Sequence, residues 1–260
     1  MDRSLDSQLG RYINVATLVS LIASVLVIYF FVGALNRGAA ETDRQLLTAG
    51  IQTTIHHNET WVADYGWWSV ALERLDAGDV DVLSDSMASS FSDHLGFDFV
   101  VMSRARDTLT YSWHRDSGQT PLDHLLTPDD LDNLRSDLAR AYAGGSFIGS
   151  HMLTVRGRPY LASVTLVGEY ENRAATDPLT GPILVIGTAL DESFVNEMQT
   201  RFLVEDVSLI PMDTTPSHGS RLPIADNAGH AVAQLSWTPS RPGNETLRYS
   251  FLPLLAYIIV

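Results

Sequence analysis

Apolar and polar positions are unevenly distributed along the chain. Residues 15–35 read VATLVSLIASVLVIYFFVGAL, 21 positions without a charge, where a helix crossing a bilayer needs about 20. Arg11 and Arg37 bracket the run, and Tyr29, Phe30 and Phe31 cluster toward one end of it, as aromatics do at a membrane interface. A cleavable signal peptide would have an apolar core of about 7–15 residues followed by a small-residue cleavage site. This run is longer and ends in aromatics, so a retained anchor is expected. At the other terminus, residues 249–260 are 12 uncharged, largely apolar positions, too few to cross a hydrocarbon layer of about 30 Å. They read as the start of a second span cut part-way; the alternative is a short apolar tail packed on the domain.

Between these blocks the pattern predicts discrete elements. Leu46, Leu47, Ile51, Ile55, Val62, Tyr65 and Leu72 recur at three- and four-residue steps. That period predicts a helix over residues 36 to about 75, running on from the span as a stalk. Residues 96–102 and 108–113 read as two strands around a turn at 104–107. Thr127 followed by Pro128, Asp129 and Asp130 signals a helix start, with Leu131, Leu134 and Leu138 as its stripe and Gly144-Gly145 as its end. Strands are expected at 146–155 and 160–170, joined by a hairpin turn at 156–159, and a buried strand at 183–190. Asp191 caps a helix to about residue 202; 207–212, Ile224 and 232–237 are further strand material, and 172–182 is a polar loop. Runs of strands with short connections predict an α+β fold, an antiparallel sheet with its helices on one side.

Charge narrows the functional classes. The chain carries 31 acidic residues against 17 basic ones, all of them Arg, for a net charge of −14. Only Asp2, Asp6, Arg3 and Arg11 fall outside residues 36–248, so the whole excess lies in the polar part. An acidic domain repels phosphate backbones, which argues against nucleic acid as a partner. With no Cys, thiol catalysis, disulfides and Cys-based zinc sites are excluded.

Several segments together resemble a known family. Asp64-Tyr-Gly-Trp-Trp68 is similar to the acid-aromatic-small-x-Trp signature on the long N-terminal helix of the fourth class of CHASE domains, cyclase- and histidine-kinase-associated sensory extracellular modules with a PAS-like or Cache-like sheet. Gly96-Phe-Asp-Phe-Val-Val101 resembles the family's first core strand, Arg158-Pro-Tyr-Leu-Ala162 the segment entering a central strand, and Gly181-Pro-Ile-Leu-Val-Ile-Gly187 with Leu190-Asp191 a later strand and helix cap. The resemblance spans residues 36–248. It departs where acids are expected after the Trp pair, since Ser69 and Val70 stand there, and where the turn after the first strand usually carries an Asp and a Gly. The resemblance implies a sensor outside the membrane and an output inside, commonly a cyclic-di-GMP cyclase or phosphodiesterase or a histidine kinase, beyond the end of this chain.

The expected organisation is a cytoplasmic N-terminus (1–14), a transmembrane helix (15–35), a sensor domain in the periplasm or outside the cell (36–248) and the start of a second span (249–260). That is an inner (cytoplasmic) membrane protein. Candidate ligand-binding residues are Asp64, Tyr65, Trp67 and Trp68 on the stalk helix, Asp98 in the first strand, and Arg158 and Tyr160 at the hairpin. The aromatic cluster, which includes Trp61, is either a pocket wall or the seam between helix and sheet. Asp64 is placed to bond a ligand amine or to cap a strand end, and Arg156 with Arg158 either clamps a carboxylate or stays solvated. His56 and His57 are adjacent and so point apart on a helix, and the other six His are scattered with no HExxH, so no metal and no cofactor is expected. Asn58-Glu-Thr60 and Asn244-Glu-Thr246 match the glycosylation acceptor pattern by chance. Without a Gly-x-Ser-x-Gly elbow or a phosphate loop, no catalytic residue is assigned. The partners expected are the bilayer, a small-molecule or periplasmic protein signal, and a second copy of the chain. The competing reading is a membrane-anchored interaction module without enzymatic output.

Overall fold

The computed structural model describes residues 3–83, 95–104, 110–120, 125–168, 176–212, 214, 219–225 and 231–251. Residues 105–107 of the expected turn, 172–175 of the expected loop and 252–260 of the C-terminal apolar run lie outside them.

Helix α1 (Arg3–Gly66) carries both the uncharged run and the 3.6-residue pattern after it. Among the described residues it is the one helix long and apolar enough to cross a membrane, with a mean hydropathy of 2.6 in its most apolar window. The expected helix to about residue 75 is interrupted. After Gly66 come Trp67 and Trp68, and a new helix, α2 (Ser69–Ala77), begins. Two bonds explain the stop. Trp68 N–H donates to the Tyr65 carbonyl at 3.1 Å, three residues back, and the Gly66 carbonyl is taken by Gly168 N–H at 3.1 Å. The last turn tightens and its carbonyl is satisfied from outside the helix. A short α3 (Val80–Leu83) follows.

The chain divides into two units, Leu47–Trp237 and Met1–Leu46 with Thr238–Val260. The larger is built on a six-stranded antiparallel sheet in the order β3-β2-β1-β6-β5-β4. The strands are β1 (Phe99–Ser103), β2 (Thr110–His114), β3 (Gly118–Gln119), β4 (Ile148–Val155), β5 (Arg158–Leu166) and β6 (Ile183–Ala189). The β4–β5 hairpin closes on Arg156-Gly157, both at positive φ (50° and 77°), the pairing whose twist matches flanking strands. Helix α4 (Pro128–Ala143) lies against one face. Its N-terminus is a capping box with Asp in place of the usual Glu: Asp130 N–H donates to Thr127 Oγ1 and Thr127 N–H to the Asp130 carboxylate.

Helices cover both faces of this sheet, not one side as the strand order predicts. Alternate residues of β1 and β6 divide between two cores. Phe99, Val101, Ile183 and Val185 pack with Leu134 and Leu138 of α4. Val100, Met102, Leu184 and Ile186 pack with Val62 of α1, Ala71 of α2 and Leu83 of α3. The continuous apolar run of β6 is the signature of a strand buried on both faces. A further difference is a second, three-stranded sheet, β7-β9-β8, made of β7 (Ser208–Ile210), β8 (Ser220–Ala225) and β9 (Ala231–Trp237). Its Leu222, Leu235 and Trp237 form a third core with Leu47 of α1 and with Phe194, Val195 and Met198 of α5 (Glu192–Phe202). Asp191 caps α5 by accepting from Ser193 and Phe194 N–H.

In the smaller unit, helix α6 (Pro242–Thr246), which continues as a π-helical turn over Leu247–Phe251, is fastened to α1 by two side chains. Asn36 Oδ1 accepts from Gly243 N–H at 2.9 Å while its amide donates to Asn244 Oδ1 at 2.9 Å. The Asp43 carboxylate accepts Ser240 N–H at 2.9 Å. The helices meet so closely at Gly243 that a Cβ there would lie 2.5 Å from the Val32 carbonyl oxygen.

Candidate functional site

The seven candidate residues fall into two groups that the fold keeps apart. Trp61, Asp64, Tyr65, Trp67 and Trp68 line one open concavity of about 390 Å³ at the end of α1. The tightened last turn swings Trp68 back over Tyr65. The Trp61–Tyr65 ring centroids are 6.3 Å apart and those of Tyr65 and Trp68 6.0 Å at 70°. Trp61, Tyr65 and Trp68 pack by one side against the core beneath and also line the concavity, while Trp67 stays 37% exposed.

Asp98, Tyr160 and Arg158 sit at the far end of the sheet. Gly168, just past β5, bonds to the end of α1, whereas Arg158 opens β5; ten residues of extended chain separate them by about 30 Å. The Asp98 carboxylate accepts Ala189 N–H at 2.6 Å and pairs with Arg115 at 2.9 Å. Burial nevertheless pushes its pKa up, against the Ala189 bond and the Arg115 charge. Burial likewise raises Tyr160. Arg158 is exposed and pairs with the equally exposed Asp116 at 3.8 Å, an arrangement that contributes little in water.

His114 joins this end of the sheet. Its Nδ1 accepts Asp116 N–H at 3.1 Å, so a neutral ring carries its proton on Nε2, which donates to the Tyr160 hydroxyl at 3.1 Å. Burial lowers its pKa below the ordinary 6.5, with Arg156 adding to the effect and Asp116 opposing it. A His whose folded pKa is depressed contributes stability that is full above its unfolded pKa and is lost as pH falls. Thermal melts of the purified chain should therefore hold steady above pH 7 and decline below about 6.5, and His114→Gln should flatten that decline. Equal slopes for both proteins would remove His114 as the cause.

Two features were not legible as candidate sites. One is a polar seam under α1. Asn58 is fully buried; its amide donates to the Leu161 carbonyl at 3.1 Å and accepts the Thr188 hydroxyl at 3.0 Å. Next to it, the Ser150 hydroxyl donates to Glu59 at 2.7 Å and lies 3.1 Å from that of Ser163. The other is a groove of about 220 Å³ between α1, β4, β5 and β8, floored by Ile51, Ile55, Met152 and Leu161 with Ser150 and His151 at its edge. His151 is held by the buried Asp137, which also binds Arg140. The signal in the sequence was a polar residue on the apolar stripe of a helix, and Asn58 occupies that position between Ile55 and Val62.

Residues 51–209 match the family model described as the CHASE4 domain. The chain belongs to the CHASE4 family. This CHASE4 domain is a sensory extracellular module, and the matched stretch contains all seven candidate residues, Asn58 and most of the groove. It begins inside α1 and ends in β7, so it is narrower than the expected 36–248. Among solved structures, the periplasmic domain of Vibrio cholerae LuxQ is similar at 10% identity and a TM-score of 0.46, over 79% of this chain and 100% of that one. A selenomethionine form of the same Vibrio cholerae domain gives 9%, 0.43, 80% and 99%. No curated protein matches the chain. The CHASE4 domain holds no set of three converging His, Asp or Glu side chains among the described residues.

Proposed function

We propose that this CHASE4 domain is the input of a transmembrane receptor. In this reading residues 15–35 cross the inner membrane, the domain faces outward, and a small molecule or a periplasmic protein is the signal. The output is a cyclic-di-GMP enzyme or a histidine kinase beyond residue 260, and the receptor works as a homodimer. The observation that supports it best is the latch in the smaller unit. There α1, which carries the apolar run, and α6, which leads toward the C-terminal apolar residues, are bonded side by side through Asn36 and Asp43. A signal that shifts one segment against the other must break or reset those bonds, which makes the latch a two-state element of the kind receptors use.

The test is a chimera joining this chain to a diguanylate cyclase output. Asn36→Ala removes both Asn36 bonds. Cellular cyclic-di-GMP should change by about fivefold while the amount of receptor in the membrane stays constant, the size of change that a coupling of about 1 kcal/mol produces. An alkaline phosphatase fused after Thr238 should be active. An inactive phosphatase would overturn the outward orientation, and unchanged output would overturn the role of the latch.

A further inference from the structure

The concavity at the end of α1 has an unusual lining. Of the five described residues that line it, Trp61, Tyr65, Trp67 and Trp68 are aromatic, and the fifth, Asp64, is a carboxylate. Among the described residues no basic side chain lines it. Asp64 is exposed, and among the described residues no Arg or His forms an ion pair with it. Tyr65 and Trp68 pack edge to face at 70° with centroids 6.0 Å apart, which fixes both rings in the wall of the concavity. A cation is attracted to an aromatic face within about 6 Å of its centroid, and four rings line this concavity. Trp61, 6.3 Å from Tyr65, extends the same wall.

The alternatives fit less well. An anion would meet Asp64 and the negative faces of the rings. A neutral apolar molecule would use the rings and leave the carboxylate without a role. A strongly hydrated ion such as sodium gains little from aromatic walls, because it must shed water that the rings replace poorly. An alkylated ammonium is weakly hydrated, spreads its charge over methyl groups and suits both components. The net charge of −14 adds a long-range field that concentrates cations near the surface.

We propose that Trp61, Asp64, Tyr65, Trp67 and Trp68 form a binding site for an organic ammonium cation, quaternary or heavily alkylated. The rings hold its methyl groups and Asp64 supplies the counter-charge. The inference rests on the sensory reading for its biological meaning. The site stands where α1 ends, so an occupant would hold Trp68 against Tyr65 and stabilise the tightened last turn. A free solute and a choline lipid headgroup present the same chemistry.

The test uses the full chain in nanodiscs of phosphatidylglycerol, which has no ammonium group, titrated with choline while tryptophan fluorescence is recorded. The comparison ligand is 3,3-dimethyl-1-butanol, in which carbon replaces the charged nitrogen. Choline should give a saturable change, with the neutral isostere about tenfold weaker or worse. Asp64→Asn, at an exposed position, and Trp67→Ala, with an unchanged thermal melt as its folding control, should each weaken choline by about tenfold. Equal responses to choline and its isostere, or choline affinity untouched by both substitutions, would overturn the proposal. Repeating the titration in phosphatidylcholine nanodiscs separates the sources. A response lost there means that the headgroup occupies the site, and an unchanged response means that a free cation does. Binding is read without any output, so its failure removes this site and leaves the sensory reading to the latch experiment.

Discussion

Gly187→Ala should destabilise the larger unit by about 2–3 kcal/mol and lower its melting temperature by about 5–10 °C. Gly187 is in the middle of β6, paired with Phe99 on β1 and Ala162 on β5. The Phe99 ring lies across the space a side chain would take. A Cβ added at Gly187 would meet Cε1 and Cζ of that ring, with Cδ1 at 2.7 Å. Phe99 cannot swing away cheaply, because it is fully buried and its ring packs against Tyr160 at 5.4 Å. One methyl group therefore forces a core aromatic out of place, and overpacking of this kind is costly where neighbours are close-packed. The cause can be isolated. Phe99→Leu alone should destabilise by leaving a cavity, but in the Gly187→Ala background it should cost little or recover stability. The coupling should be at least about 1 kcal/mol in a double-mutant cycle. Additive losses would show that the ring is not what the new methyl meets.

Asn58→Asp should make stability strongly dependent on pH. Asn58 is buried with its amide on the Leu161 carbonyl and its oxygen on the Thr188 hydroxyl. An ionised carboxylate in its place would set one oxygen against the Leu161 carbonyl in a water-poor seam, whereas a protonated acid can remake both bonds. The introduced group therefore titrates in the folded state above its unfolded value of about 3.9. Its contribution is present at low pH and is lost as pH rises through the folded value. The variant should be close to wild type near pH 4 and weaker by about 3 kcal/mol or more at pH 7. Asn58→Leu, which keeps the bulk and strands both partners, should cost about 2–4 kcal/mol at every pH. A variant curve parallel to wild type would mean that the side chain is solvated and the seam is not a clamp.

Much of this domain could be read from local pattern because its physics is local. Thr127 with Pro128 and Asp130 defines a helix start through bonds that span three residues. Asp191 does the same for α5, and the turn at Arg156-Gly157-Arg158-Pro159 between two strand-like runs marks a hairpin. The aromatic group at 61–68 was legible as a cluster for a related reason: its members lie within eight positions and share one helical end. The same pattern misplaced the end of α1, because the bond that stops the helix comes from Gly168, about a hundred positions away.

What the sequence by itself determined is the apolar run at 15–35, the acidic middle, the α+β class, the family resemblance and most strand and helix cores, each carried by contacts between near neighbours or by composition. Tertiary structure alone decided the rest. The late strands form a separate sheet because Leu222, Leu235 and Trp237 find their core against α5 and α1. The central sheet is covered on both faces, with β1 and β6 dividing their side chains between two cores. Asp98 and Tyr160 are kept about 30 Å of extended strand from Asp64. Asn58, an ordinary polar residue on a helix face, becomes the buried bond between helix and sheet, since which carbonyl and which hydroxyl await it depends on strands more than a hundred positions further along the chain.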